Sequence, residues 1–147
     1  MLRNLTASDV PAMIPLGIAF FEYAKLPGVF NVGRFSDVWT KLLESGSGLV
    51  VGYFDPSGVL RGGAGIYVTP DSLTTDTIAY EAFFYIDPAH RGRGVALLHQ
   101  LETEARNAGA KRLWMVHLEN EHANAMQRYY ERQGFTLREH LYMKVLA

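Results

Sequence analysis

The 147-residue chain contains no cysteine, which removes disulfide scaffolds, thiolate zinc sites and cysteine nucleophiles together. It also lacks a charge excess, with 14 Lys and Arg against 15 Asp and Glu. A balance of that kind argues against a protein whose task is to neutralise nucleic-acid phosphates. No apolar run approaches the roughly 20 residues of a membrane span. Residues 1–21 have no basic start followed by an apolar block, and Asp9, Pro11 and Pro15 interrupt them, so no signal peptide is expected. There is no Gly-x-Ser-x-Gly elbow and no Gly-Lys-Ser/Thr phosphate loop. The five histidines suggest no metal site, because His117 and His122 straddle an expected strand end and do not aim at one point. The chain has the composition of a globular protein, 48% hydrophobic and 20% charged. Its length suits one domain over residues 1–147, with a cytoplasmic location as the expectation.

Periodicity and turn chemistry predict a mixed α/β chain. Leu2 to Leu5 reads as a strand, and Ser8 or Asp9 can cap a helix to about Phe21 with Pro11 in its first turn. Phe35 to Glu44 reads as a second helix with Phe35, Val38, Trp39 and Leu42 on one face. Leu49 to Phe54 and Leu60 to Val68 are strands around the turn Asp55-Pro56-Ser57-Gly58, and Thr77 to Ile86 is a third. A helix follows Gly94, with an apolar stripe of Leu98, Leu101, Ala105 and Ala108 and a left-handed cap at Gly109. Arg112 to Leu118 is then a strand, Ala123 to Arg132 a helix, and Phe135 to Leu146 one or two closing strands.

One loop breaks a local rule. Helix N-termini carry unpaired N–H groups and partial positive charge, so acidic residues are favoured there. This chain places Arg91 and Arg93 at that point and keeps Glu102 and Glu104 for later turns. The choice becomes favourable once an anion occupies the loop, and Gly92 and Gly94 let the backbone approach phosphate oxygens closely. The charge pattern alone is equally compatible with a solvated turn.

The run Asp87-Pro88-Ala89-His90-Arg91-Gly92-Arg93-Gly94-Val95-Ala96 resembles the acetyl-CoA signature of the GNAT N-acetyltransferase superfamily, Gln/Arg-x-x-Gly-x-Gly/Ala, at Arg91, Gly94 and Ala96. Tyr130 to Phe135 resembles the family's Tyr-x-x-x-Gly-Phe segment, and Leu2 to Asp9 resembles its first strand and helix. The resemblance implies the family's acyl-CoA fold, a central, mostly antiparallel twisted sheet flanked by helices. It implies acetyl-CoA as co-substrate, held by Arg91, Gly92, Arg93, Gly94, Val95 and Ala96, with the pantetheine arm pairing along the strand that ends at Ile86. The family often has a CoA-contacting asparagine seven residues before the tyrosine. Here that position is Ala123, with Asn124 and Asn120 beside it, and Asn124 is the implied contact.

The implied reaction is direct transfer of acetyl to a primary amine of a small molecule or peptide. Tyr130 matches the family's general acid, although Met126, Tyr129 and Tyr130 also form an apolar helix face. Glu81 is a candidate base, one residue off the family's usual positions and hence on the opposite face of a regular strand, unless a bulge intervenes. Glu22, beside Phe21, and Glu119 are candidate contacts to the amine and alternative bases, with water as a further route for the deprotonation. No metal, nucleic acid or membrane enters this scheme, and a homodimer is the assembly it allows. Two other readings stay open: a CoA-binding or protein-interaction module without catalysis, and a dinucleotide binder with Glu119 on a ribose. The latter lacks its third glycine and the chain to complete a doubly wound sheet. Residues 1–90 carry a balance of -4 and residues 91–147 one of +3, a polarity suited to an anionic cofactor and a cationic acceptor.

Overall fold

Five stretches become strands, the middle three rich in β-branched, aromatic and small residues and joined by aspartate-containing turns that reverse the chain. In the computed structural model, which describes residues 1–118 and 122–147, β1 (Leu2–Asn4), β2 (Gly48–Phe54), β3 (Leu60–Pro70), β4 (Thr77–Ile86) and β5 (Ala110–Trp114) form one sheet in that order. Neighbours from β1 to β4 pair antiparallel, whereas β5 lies parallel to β4. A parallel neighbour requires a crossover, supplied by α3 (Gly94–Asn107). Between β1 and β2 come α1 (Val10–Ala24) and α2 (Val32–Ser45); α4 (Ala123–Arg132) follows β5. The chain divides into two compact units, Met1–Met115 and Val116–Ala147.

Within the first unit the sheet carries a core on each face. On one face α1 and α2 contribute Val10, Met13, Leu16 and Trp39, which pack with Val50, Phe54 and Phe83. On the other, α3 contributes Leu97, Leu101 and Ala105 against Val51, Ala64, Ile66, Ala79 and Ile86. Each of the larger of these side chains contributes about 1.5–3 kcal/mol by leaving water. Ala79 and Phe83 are four residues apart yet face opposite cores, which a regular strand forbids. The cause is a β-bulge. Glu81 pairs with Ile66 and Phe83 with Gly65, so Ala82 is an extra residue on β4 and the alternation inverts across it.

Helix starts and stops follow local chemistry. Asn31 caps α2, its Oδ1 accepting from Arg34 N at 2.8 Å. Before α1, Asp9 accepts from Thr6 N at 2.8 Å and pairs with Arg3 at 2.9 Å, closing a short 3₁₀ turn over Ala7–Asp9. Gly109, just past the end of α3, has φ +89°, the left-handed cap its sequence position predicts.

Several expectations need correction. Val38 is 40% exposed, because the buried side of α2 centres on Trp39. Leu97 replaces Ala108 in the buried stripe of α3; Ala108 lies past the last helical residue and is exposed. β5 ends at Trp114 and does not continue to Leu118. Residues 135–147 form no strand. Their alternation is real, but a strand exists only with a hydrogen-bonded neighbour, and Leu141, Tyr142 and Leu146 are at least 79% exposed.

Candidate functional site

The arginine-glycine loop hangs from the end of β4 on a polar frame. Asp55, in the β2–β3 turn, accepts from Ser57 N, Ser57 Oγ and Val59 N, and pairs with Arg61 Nε at 2.8 Å. The Ser57 hydroxyl and then the Arg61 guanidinium hold its carboxyl well below the usual carboxylate range. Arg61 reaches Asp87 at 3.9 Å through its second arm, and its carbonyl accepts from Asp87 N at 2.8 Å. Asp87 then caps the short turn Pro88–His90 through Ala89 N at 2.9 Å. The start of the loop is thus tied to the β2–β3 turn.

Beyond this frame the loop is open. Arg91, Gly92 and Arg93 are exposed. Gly92 has φ +115°, a conformation that side-chain-bearing residues rarely adopt, and this sets the turn into α3. Arg93 occupies the N-cap without a side-chain cap bond, and no acidic residue lies in the first turn. The first intrahelical bond runs from Leu97 N to Arg93 O at 3.0 Å, so Gly94, Val95 and Ala96 have N–H groups without an intrahelical acceptor. The Arg93 guanidinium lies 5.7 Å from the Tyr53 ring centroid, and Tyr53 also packs with His90. Among the described residues neither Arg91 nor Arg93 forms an ion pair. A cleft of about 500 Å³ opens beside Arg93, lined in part by Arg3, Tyr53 and Phe54. Exposed cations, main-chain donors outside the helix ladder and a glycine turn thus meet at one helix end, features with which helix N-termini can hold an anion.

The second feature is a split in the sheet. β4 and β5 pair only from Thr77↔Ala110 to Tyr80↔Trp114, whereas β4 runs on to Ile86. The ladder therefore stops one residue before Glu81 and two before the bulge at Ala82. Ile86 turns its side chain into the α3 core, leaving only main chain for any pairing partner. Glu81 sits opposite Ile66, a residue of the α3 core, so its side chain projects on the α3 face.

The remaining expected residues are placed as follows. Phe21 packs edge-on against Phe30 at 6.0 Å in an aromatic group that includes Phe35, and Glu22 is exposed on the last turn of α1. In the second unit, Asn124 is exposed in the first turn of α4, and Tyr130 is buried with its phenol donating to Val116 O at 3.0 Å. Glu119 lies outside the described residues. Among the described residues no group of three or more His, Asp or Glu could hold a metal ion, and no helix is long and apolar enough to cross a membrane. Sequence reading missed Tyr53, Asp55 and Arg61 as supports of the loop. The turn motif Asp55-Pro56-Ser57-Gly58 was their only signal.

The sequence profile of the acetyltransferase (GNAT) family matches residues 18–135. No curated protein matches significantly. Similar solved structures include a predicted acetyltransferase with acetyl-CoA from Clostridium acetobutylicum, with TM-score 0.79, 16% identity, and coverage of 98% of this chain and 95% of that one. A glucosamine-6-phosphate N-acetyltransferase from Arabidopsis thaliana superposes with TM-score 0.77 at 13% identity, covering 100% and 98%. A ribosomal-protein-alanine N-acetyltransferase from Brucella melitensis does so with TM-score 0.72 at 18% identity, covering 99% of both chains.

Proposed function

The chain belongs to the GNAT acetyltransferase family, and from that premise we propose that it is a cytoplasmic, acetyl-CoA-dependent N-acetyltransferase acting on a primary amine, with residues 1–147 as one catalytic domain. The observation that carries this reading is the uncapped N-terminus of α3 flanked by Arg91 and Arg93, which fits a pyrophosphate. Bound acetyl-CoA would supply the activated acyl thioester. Gly94, Val95 and Ala96 would donate main-chain N–H groups to phosphate oxygens, while Arg91 and Arg93 add charge-assisted bonds of about 1.5–3 kcal/mol each where water is excluded. The stretch of β4 from Glu81 to Ile86, beyond the end of the β5 ladder, offers main chain for an extended amide-bearing arm.

The chain must also handle protons. An amine attacks only when neutral, and the departing thiolate needs a proton. Glu81 is the proposed base, directly or through a water, because it stands where the β4–β5 ladder ends. Tyr130 is the proposed acid. Its phenol donates to Val116 O, so in the transfer that proton would have to turn from the carbonyl to the departing thiolate; a positioned acid is worth about 10²–10⁴ in rate. Asn124 is proposed as a further cofactor contact, and Phe21, Glu22 and Glu119 as acceptor contacts.

Titration calorimetry with acetyl-CoA tests the central step. Binding is expected for the native chain and lost in Gly94→Glu, whose melting temperature should stay close to the native value. Native protein that ignores millimolar acetyl-CoA but binds NAD or FAD would refute the reading. Tyr130→Phe should slow thiol release while leaving acetyl-CoA affinity within about twofold, and unchanged turnover across pH would reduce Tyr130 to a packing residue.

A further inference from the structure

The α1/α2 face of the sheet carries a row of four aromatic residues, one from each of four elements. Trp39 of α2 stacks on Tyr67 of β3, with centroids 5.9 Å apart and planes at 14°. Tyr67 is the cross-strand partner of Tyr80 on β4. Tyr80 stacks in turn on its partner Trp114 of β5, at 6.0 Å and 19°. Trp39 belongs to the core at 5% exposure, but Tyr67 and Tyr80 are each 41% exposed. Two flat side chains are thus held in register and open to solvent.

The row ends at the split, since Tyr80↔Trp114 is the last pair before β4 and β5 part. There the indole Nε1 of Trp114 is buried and has no hydrogen-bond partner among the described residues. A buried indole N–H almost always finds an acceptor, and leaving one unmade costs free energy that packing must offset. An indole can only donate, so whatever pairs with it must present an acceptor atom.

We propose that Tyr67, Tyr80 and Trp114 form the acceptor subsite, in which the tyrosines carry the ring face of the substrate and Trp114 Nε1–H donates to an oxygen on it. The substrate class is an amine borne on a ring that presents a hydroxyl or carbonyl oxygen, in preference to an open-chain aliphatic amine. This rests on the acetyl-transfer reading for the identity of the reacting group. Two tyrosine rings, each held by a stacked tryptophan, bind a substrate ring with little ordering cost of their own, while an aliphatic chain gains neither the stacking nor the hydrogen bond.

The test uses the full chain with three probe amines, glucosamine, tyramine and 1,4-diaminobutane, followed by thiol release with acetyl-CoA and by calorimetry without it. At least one ring-bearing amine is expected to exceed the diamine tenfold or more in kcat/KM. Glucosamine and tyramine separate a sugar ring from an aromatic one. Trp114→Phe keeps the ring and removes the donor. It should raise KM for the preferred amine about tenfold and leave the acetyl-CoA Kd unchanged, with only a small fall in melting temperature from the smaller ring. Should that variant fold poorly, Tyr80→Leu reads the platform instead, with the same KM effect expected. A preference for the diamine, an unaltered KM, or a loss of acetyl-CoA affinity in place of amine affinity would each overturn the assignment. Amine binding that depends on Trp114 without any thiol release would count against the transfer reading and leave the subsite standing.

Discussion

Gly65 supplies a sharp test of how the sheet is assembled around the bulge. It lies opposite Phe83, the first residue after the extra Ala82. A Cβ built at this position would stand 2.5 Å from Phe83 Cε1, 3.0 Å from Phe83 Cδ1 and 3.0 Å from Trp39 Cη2. Carbon atoms in contact prefer about 3.5–4.0 Å, so the two rings would have to retreat by roughly an ångström. They have nowhere to go. Phe83 is 7% exposed and Trp39 5%; the two pack edge-to-face at 5.5 Å, with Phe20 on Phe83 at 6.2 Å and Tyr67 on Trp39.

Overpacking of this kind costs about 1–3 kcal/mol. The reduced entropy of the unfolded chain returns about 0.4–1 kcal/mol of it. Gly65→Ala should therefore lose about 1–2 kcal/mol, or about 3–6 °C in melting temperature for a chain of this size. Gly33→Ala is the matched control. Its Cβ would meet only Asn31 Oδ1 at 3.5 Å, an ordinary contact, and the site is helical. That variant should gain about 0.5 kcal/mol. Urea unfolding of both variants reads the two signs in one experiment. Equal stability of Gly65→Ala and the native chain would refute the argument that Phe83 and Trp39 are locked.

The remaining expectations concern caps and carboxylates. Asn31→Ala removes the acceptor for Arg34 N and should cost about 1 kcal/mol in urea unfolding. Asp9 is drawn down to about 2, chiefly by its bond from Arg3. A depressed carboxylate stabilises the fold above its unfolded value, near 4, and that contribution is lost as pH falls through the folded one. Thermal melts should therefore steepen in their pH dependence between about 4 and 2, and Asp9→Asn should flatten that slope. Asp55→Ala removes the shared acceptor of the β2–β3 turn and frees Arg61 from its 2.8 Å bond. It should lower both melting temperature and acetyl-CoA affinity, the latter because Arg61 also tethers Asp87 at the loop entrance.

What could be read from the chain and what could not divides along the range of the interactions. α4 spans Ala123–Arg132 and β4 spans Thr77–Ile86, as local pattern predicts, because Gly134 and Asp87-Pro88 are short-range stop signals. The arginine-glycine loop was legible for the same reason, since its conflict with helix electrostatics lies within six residues. The strand expected over Phe135 to Leu146 failed because alternation states a preference and says nothing of a partner. Val38 and Trp39 are both apolar neighbours on α2, and only packing against β3 and Phe83 decided which is buried. The Asp55–Arg61–Asp87 frame joins residues up to 32 apart, through contacts that no local pattern announces.

The bulge at Ala82 shows how one unannounced residue alters the reading of a site. Counted as a regular strand, Glu81, Phe83 and Tyr85 share a face, and a carboxylate would then lie among the rings of the α1/α2 core. The observed pairs, Glu81 with Ile66 and Phe83 with Gly65, remove that conflict. Phe83 and Tyr85 pack toward α1 and α2, while Glu81 projects on the face that α3 covers, the helix whose N-terminus carries the arginine loop. The inversion falls within two residues of the last β4–β5 pair, Tyr80 and Trp114. β5 is paired from Ala110 to Trp114, its whole length, and the β4–β5 ladder ends where that strand ends. The extra residue inverts the alternation of β4 and so sets the face of Glu81, one residue beyond the last β4–β5 pair.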